Sequence, residues 1–243
     1  MKRREFVKLC ASAVAGVSAS PELLGEGKRE PHFYERVALF DSYNEKPVRA
    51  SSLEVGETYL FHYPYISTPC FLIDLGRPVT ARKNLETHDG DHYHWPGGVG
   101  PTRSVVAFSA ICAHKMSHPA PSVSFINFRR GSAHFRDHNE NIVEGEDVIY
   151  CCSEKSVYDP ANGARVLGGP APQPLAAIAL EYEEEEDSFY ATATIGGEMF
   201  DRYFETFNQR LVLAYQRTDI RQQSSGSTEL LRMRDFCTNL VLC

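Results

Sequence analysis

Between residues 33 and 195 the chain is a series of short β-prone segments, and this pattern leaves few folds open. The segments are bounded by Gly, Pro, Asn and Asp, and no helical period runs between them. Many short strands with turn residues at their ends favour an all-β sandwich or barrel. The clearest predicted strands are Thr58–Tyr63, Phe71–Asp74, Ser104–Ala110, Asp147–Tyr150, Ala176–Tyr182 and Phe189–Ile195.

The pattern changes after Gly197, so we expect a C-terminal helical extension over residues 196–243. Apolar residues recur at near-helical spacing from Met199 to Tyr215, which predicts an amphipathic helix that packs on the domain or on a partner subunit. For residues 230–243 we expect a second helix. The apolar stripe of the first helix consists of Phe200, Tyr203, Phe204, Phe207, Leu211 and Leu213.

Length and charge bound the class of protein. A chain of 243 residues fits one ordinary domain with appendages. The sequence has 25 Lys and Arg against 32 Asp and Glu, a net charge of -7. This balance lacks the basic footprint of a nucleic-acid-binding protein. The acidic run 181–187 is interpreted as a solvated turn or strand end, with an acidic docking surface as the alternative.

Seven scattered cysteines do not form the dense, even pattern of a small disulfide scaffold, so some of them are free or bind metal. In an extended backbone the adjacent Cys151 and Cys152 point to opposite faces, so only one of them can face a given site. Cys237 and Cys243 are expected either to pair with each other or to be inert.

The first 30 residues resemble a twin-arginine export signal. Arg3-Arg4 is followed by Phe6, Lys8 and a weakly apolar stretch, Leu9–Ser20. The resemblance implies export of a folded, cofactor-loaded protein to the periplasmic side of a bacterial inner membrane. The apolar stretch is shorter than the roughly 20 residues of a spanning helix. It is therefore either removed or retained as a weak membrane anchor.

Two segments carry side chains suited to metal binding. The first holds Cys112-x-His114, and the second begins at Cys151 and ends in a Pro-rich run, 169–175. Together they resemble the Rieske family, in which Cys-x-His and Cys-x-x-His motifs bind a 2Fe-2S cluster under a Gly-Pro-Ala-Pro-x-Pro-Leu loop. Two thiolates hold one iron and two imidazoles hold the other. The resemblance implies a Rieske antiparallel β-sandwich over residues 31–195, with a cluster-binding subdomain at 110–175.

The same resemblance assigns the ligand positions to Cys112, His114, Cys151 and Glu154. The second motif therefore reads Cys-x-x-Glu in place of Cys-x-x-His. Three interpretations are open: Glu154 binds iron through its carboxylate, another histidine replaces it, or the cluster is lost and the fold survives as a structural subunit. The retained cysteines and histidine favour a cluster.

Other positions match the family's cluster surroundings. Ser156 and Tyr158 match hydroxyls that hydrogen-bond the cluster sulfur and a ligand thiolate, and Pro172 lies in the loop that covers the cluster. Quinol-oxidising members also carry a disulfide between the two loops. Its two positions fall on Ser117 and Ser153, so both halves of that bridge are missing here.

The stretch between His114 and Cys151 is longer than is usual in the family. It includes an insertion, residues 125–146, that is locally basic at 129–138 and is interpreted as a surface hairpin or as a flap that docks a partner. The insertion also offers His134 or His138 as the replacement ligand.

Residues 86–95 form a second histidine-rich segment. His92 and His94 would lie on one face of a strand, with His88 close by, and a divalent-metal site is one interpretation. A polar loop beside the cluster is the interpretation that we favour.

The resemblance implies one-electron transfer in a membrane-associated respiratory complex, foremost quinol-cytochrome c reductase, with cytochrome b and cytochrome c type partners. The chain would be a subunit rather than a complete enzyme, and it lacks room for the catalytic domain of a Rieske oxygenase. Glu154 stands where the family's quinol-binding histidine lies, which puts direct quinol oxidation in doubt, although a carboxylate accepts protons. The alternatives are the small subunit of a molybdenum oxidoreductase such as arsenite oxidase, and a cluster-free interaction module.

Overall fold

The structure is a computed structural model that describes residues 29–41 and 46–243. The predicted export signal and anchor lie outside the described residues, apart from positions 29 and 30. The described part of the chain is mainly antiparallel β-structure, so the all-β prediction is confirmed. The strands are β1 (His32–Asp41), β2 (Lys46–Pro47), β3 (Thr58–His62), β4 (Pro69–Asp74), β5 (Arg82–Glu86), β6 (His92–Trp95), β7 (Val105–Ser109), β8 (Ile126–Arg136), β9 (Ile142–Cys151), β10 (Ser156–Asp159), β11 (Arg165–Gly168), β12 (Ala177–Glu183), β13 (Ser188–Ile195), β14 (Ser227–Glu229) and β15 (Leu231–Arg232).

Nine strands form one curled sheet. Its order is β14-β1-β13-β12-β7-β4-β3-β15, and the short β2 pairs with the last two residues of β1. The two strands that end this order, β14 and β15, are separated in the chain by Leu230 alone. Opposite ends of the sheet order therefore lie side by side, so the sheet curls and encloses a core.

Strand β4 shows why the large sheet is buried on both faces. Its side chains alternate between two apolar clusters, because successive residues of a strand point to opposite faces. Cys70 and Leu72 lie in the cluster inside the curl, whereas Phe71 and Ile73 lie in a second cluster outside it. The second cluster requires another layer to cover it.

A four-stranded sheet of order β11-β10-β9-β8 supplies that layer. Ile126 of β8 and Ile149 of β9 belong to the same apolar cluster as Phe71 and Ile73. The hairpin of β5 and β6 adds Tyr93 and Trp95 to it. The shared cluster joins the small sheet to the large one, and the candidate site lies along this junction.

Helix α1 spans Phe200–Tyr215 and agrees with the predicted amphipathic helix. It buries Phe200, Tyr203, Phe204 and Leu211. The prediction that Leu213 belongs to the apolar stripe is wrong, since its side chain is 78% exposed. Leu213 follows the buried Leu211 by two positions, which is more than half a helical turn, so the two side chains point to opposite faces.

The prediction of a second helix over residues 230–243 is also wrong. Its first residues form β15, which pairs with β3, and only Met233–Phe236 form a single helical turn, α2. Residues 237–243 then run alongside residues 121–127. Pairing with β3 and with residues 121–127 replaces the helix, and Met233 and Cys237 bury their side chains in the main apolar cluster. Across residues 29–41 and 46–243, none of the helices has the length and apolar character to span a membrane.

Acidification is expected to destabilise the fold through His62. The ring lies beside Tyr215 and Phe236 and hydrogen-bonds the Tyr215 hydroxyl at 2.8 Å, and burial lowers the pKa of His62 to about 4. The folded protein thus keeps the ring neutral, whereas the unfolded chain takes up a proton below pH ~6.5. The stabilisation is complete above that pH and is lost as the pH falls towards about 4.

Between pH 7.5 and pH 5 this loss amounts to up to about 2 kcal/mol. Denaturant titrations at the two pH values measure it, with His62→Gln as the neutral comparison. The His62→Gln protein should lose less stability on acidification than the natural protein. Equal losses in the two proteins would refute the assignment.

Candidate metal centre

Two loops meet at the junction of the sheets and bring two thiols into contact. Cys112 follows β7 in the first loop (residues 112–118), and Cys151 ends β9 at the start of the second loop (residues 151–156). Both side chains are fully buried. The two thiols are neighbours: interaction with the Cys151 thiol, together with burial, raises the pKa of Cys112, and interaction with the Cys112 thiol lowers the pKa of Cys151. The pair therefore favours one thiolate, the form in which cysteine binds metals.

The side chains of His114 and Glu154 form a second pair. His114 Nδ1 lies 3.2 Å from Glu154 Oε2, and the two side chains are 28% and 21% exposed. Lys115 Nζ lies 3.9 Å from the same carboxylate oxygen. The cysteine pair is thus the inner half of the site and the His114–Glu154 pair is the outer half, next to solvent.

Tight local turns shape both loops. In the first loop the Met116 amide donates to the Cys112 carbonyl at 2.9 Å, and the Cys112 amide donates to the Ser117 carbonyl at 2.9 Å. Met116 and Lys155 both have positive φ angles, 58° and 60°. Such left-handed residues reverse the chain in few positions, which brings each loop's ligand-type residues to one end of the small sheet.

The four residues form two pairs rather than one group. Within the residues that the structure describes, no three His, Cys, Asp or Glu side chains are grouped as a single metal ion needs. A binuclear iron-sulfur cluster has a different requirement, since each iron takes two protein ligands. The inner thiol pair and the outer imidazole–carboxylate pair match that requirement, because each pair offers two ligands for one iron.

Tyr158 lies directly behind the inner pair. Its hydroxyl is 3.2 Å from Cys112 Sγ and accepts a hydrogen bond from the Ala113 amide at 3.1 Å. The phenol is fully buried, and burial raises its pKa, so it remains a hydrogen-bond donor. Tyr158 is therefore placed to donate to a Cys112 thiolate, as the sequence predicts.

Ser156 supplies an independent sign that another group belongs here. Its side chain is fully buried, and its Oγ has no hydrogen-bond partner among the described residues. Leaving a buried hydroxyl without a partner costs about 1–3 kcal/mol. A sulfide of a bound cluster would be the missing acceptor, so the polar atoms of the site fit a 2Fe-2S group.

The Pro-rich loop (residues 169–175) packs against the second loop. Gly169 has φ +80°, and a Cβ there would lie 2.1 Å from the Lys155 carbonyl oxygen, so only glycine allows this approach. Gln173 is buried and donates to the Gly197 carbonyl at 2.9 Å. Pro172 itself is exposed. Its predicted role in cluster binding stays a prediction.

The structure does not bring the alternative histidines to the site. The insertion is the hairpin of β8 and β9, in which Ile126 pairs with Cys151 and His134 pairs with Glu144. Eight residues of strand separate Ile126 from His134, a length of roughly 26 Å. His138 lies still further along, in the turn of the hairpin, and both histidines are exposed. Of these three candidates for the fourth position, Glu154 is the one that lies beside His114.

The histidine-rich segment 86–95 lies in the hairpin of β5 and β6. His94 Nδ1 lies 3.4 Å from the Asn84 amide, and the His88 amide donates to Gln173 Oε1 at 2.8 Å. The segment is therefore a β-hairpin with buried Tyr93 and Trp95 rather than the polar loop that we favoured, and its contact with Gln173 places it beside the Pro-rich loop.

Of the two alternatives for Cys237 and Cys243, a bond between them is wrong, and inertness fits Cys237 alone. Cys243 forms a disulfide with Cys152, and Cys237 is buried and free. The prediction that adjacent Cys151 and Cys152 face opposite sides is confirmed, since Cys151 faces Cys112 while Cys152 faces the chain end. That alternation was the available signal, because it turns Cys152 away from the site and leaves its thiol free to bond another cysteine.

Helix α1 also contacts the site from behind, which the sequence did not reveal. Met116 of the first loop and the neighbouring Ile111 share an apolar cluster with the buried face of α1. The His118 ring packs edge-on against Tyr203 and Phe207, at 4.9 Å from each. The helix thus supports the loop that carries Cys112 and His114.

No family model matches the chain. Among solved structures, the chain is similar to the soluble domain of Rieske protein II (soxF) from Sulfolobus acidocaldarius, with 25% sequence identity. The match covers 68% of this chain and 82% of that one, with a TM-score of 0.46. A score of this size is a partial likeness.

Proposed function

We propose that this protein is a Rieske-type electron-transfer protein with a modified ligand set. Cys112 and Cys151 would hold one iron of a 2Fe-2S cluster, and His114 and Glu154 would hold the other. The observations that carry the proposal are these two pairs, contributed by the same two loops, and Ser156, which pairs with Cys151 and has a buried hydroxyl without a partner in the described chain. Such a cluster supplies one-electron oxidation and reduction.

The surrounding residues have separate tasks. Burial of both thiols keeps water from the inner half of the site, and the hydroxyl of Tyr158 stabilises negative charge on Cys112. His114 and Glu154 lie at the protein surface, so an electron donor or acceptor reaches the outer half first. In this arrangement Glu154 adds a negative charge where an imidazole is neutral, which lowers the reduction potential.

We further propose that the protein is a subunit of a membrane-associated oxidoreductase on the periplasmic side, of the quinol-cytochrome c reductase type. The sequence features behind this are the twin-arginine signal pattern and the two cluster motifs. Isolation of native complexes from the source cells tests it. A cytochrome b and a cytochrome c type subunit are the expected partners, whereas a large molybdenum subunit would replace this proposal with the alternative.

The cluster itself is tested by expressing the full chain and measuring iron, acid-labile sulfide and the electron paramagnetic resonance of the dithionite-reduced protein. About two irons per chain and a Rieske-like signal are expected. Cys112→Ser should lose both. Cys70→Ser is the matched control, because Cys70 is also buried and free, and its thiol donates to the Tyr63 carbonyl as a serine hydroxyl can. A folded protein without iron would overturn the proposal.

Removing the hydroxyl of Tyr158 is expected to lower the reduction potential. In Tyr158→Phe the thiolate of Cys112 loses a hydrogen bond, and a bond to a charged group is worth roughly 1.5–3 kcal/mol. For a one-electron couple this energy corresponds to a fall in the reduction potential of about 60–130 mV. Protein-film voltammetry measures the shift. A potential that does not fall would show that the hydroxyl does not donate to the redox centre.

A further inference from the structure

The segment 237–243, here called the strap, is hydrogen-bonded to residues 121–127. The Thr238 amide donates to the Pro121 carbonyl at 2.9 Å, and the Val241 amide donates to the Ser124 carbonyl at 2.9 Å. The Ser124 amide returns a bond of 2.9 Å to the Asn239 carbonyl. The strap therefore extends the edge of the small sheet beside the start of β8.

A disulfide joins the strap to the second loop. Cys243 is bonded to Cys152, with the two Cα atoms 5.7 Å apart. The Cys152 amide also donates to the Phe125 carbonyl at 2.7 Å. Cys152 is thus held by its backbone on one side and by its side chain on the other. It is the residue directly after Cys151.

This attachment acts on the residue next to Cys151, which is itself paired with Ile126 and Ser156. Successive residues of an extended chain point to opposite faces, so fixing the side chain of Cys152 outwards fixes that of Cys151 inwards, towards Cys112. A second contact acts on the same strand pair, because Asn127 Nδ2 donates to the Val241 carbonyl at 2.9 Å and Ile126 is paired with Cys151. Among the described residues, no covalent bond joins the first and second loops directly.

We propose that Cys152 and Cys243 are positioning residues that hold Cys151 in its metal-binding orientation. The metal-binding role of Cys151 rests on the proposed function, whereas the orientation of its side chain can be tested without a cluster. It predicts that breaking the disulfide loosens the second loop while the rest of the fold persists, because the curled sheet and its core do not include the strap's disulfide.

The test compares the natural protein, purified in its disulfide form, with Cys243→Ser and with the double variant C152S/C243S, which leaves no free thiol at position 152. Hydrogen exchange of the amides at 150–154 and release of iron to a chelator are measured well below the unfolding temperature. Both are expected to quicken by about tenfold, with altered g-values of the reduced protein. Cys237→Ser is the matched control, since Cys237 is a buried cysteine of the strap without a disulfide. It should leave exchange at 150–154 unchanged even if it lowers the unfolding temperature.

Unchanged exchange at 150–154 in both disulfide variants would overturn the inference, as would a peptide map of the oxidised natural protein without a 152–243 linkage. These outcomes are separate from failure of the proposed function. An iron-free natural protein would refute the function, and hydrogen exchange on that protein would still decide whether the strap orients Cys151.

Discussion

Replacing Glu154 by histidine is expected to raise the reduction potential of the protein by on the order of 0.2 V. A fixed negative charge about 4 Å from the redox charge, at an effective dielectric of about 20, is worth roughly 4 kcal/mol. For a one-electron couple this energy corresponds to that shift. Histidine at this position pairs with His114 in place of the carboxylate that now lies 3.2 Å from its Nδ1. Voltammetry and electron paramagnetic resonance of the two proteins, at equal iron content, measure the change.

Glu146→Gln is the control for a change of charge alone. Glu146 is an exposed residue of β9, five residues before Cys151. This is roughly 16 Å along an extended strand, beyond the screening length of about 10 Å at ordinary salt. Its removal should leave the potential nearly unchanged. If Glu154→His does not raise the potential, the carboxylate is not beside the redox centre, and the double variant H134A/H138A then tests the remaining histidines by loss of iron.

Truncating Phe204 to alanine is expected to destabilise the protein by about 3–5 kcal/mol. The ring is 1% exposed and contacts Tyr65 edge-on at 5.3 Å, while the guanidinium of Arg221 lies 4.8 Å from its centre. Because Phe204 belongs to the apolar cluster that α1 shares with Ile111 and Met116, we expect the loss of packing to reach the first loop as well. For a chain of this size the unfolding temperature should fall by about 10 °C. Thermal unfolding and iron retention are the measurements.

Leu213→Ala is the matched control on the same helix. Leu213 is 78% exposed, so its truncation removes little buried surface and should change stability by less than about 0.5 kcal/mol. If both variants behave alike, α1 does not support the first loop, and the contacts of His118 with the helix have no consequence for the site.

The strands were predictable because their signals are local. Turn residues and short apolar runs indicated β3, β4, β7, β12 and β13 within two residues of their observed ends. The prediction for residues 147–150 found only the end of β9, since the outer part of that strand is mostly polar and exposed. The failed prediction for residues 230–243 has a related cause. The conformation of a short segment depends on the partners that it packs against. Here β3 and residues 121–127 offer free backbone groups, so the segment pairs with them in extended form.

The amino-acid sequence alone singled out the side chains that we propose for the cluster site: two Cys-containing motifs, a glutamate in place of a histidine, and a tyrosine and a serine beside them. These follow from residue identity and short spacing. Only the tertiary structure decided how they meet. His114 and Glu154 are 40 residues apart, and Cys152 and Cys243 are 91 apart. Contacts of this range depend on how two sheets, a helix and a strap share apolar surface, and no local pattern of the chain encodes that packing.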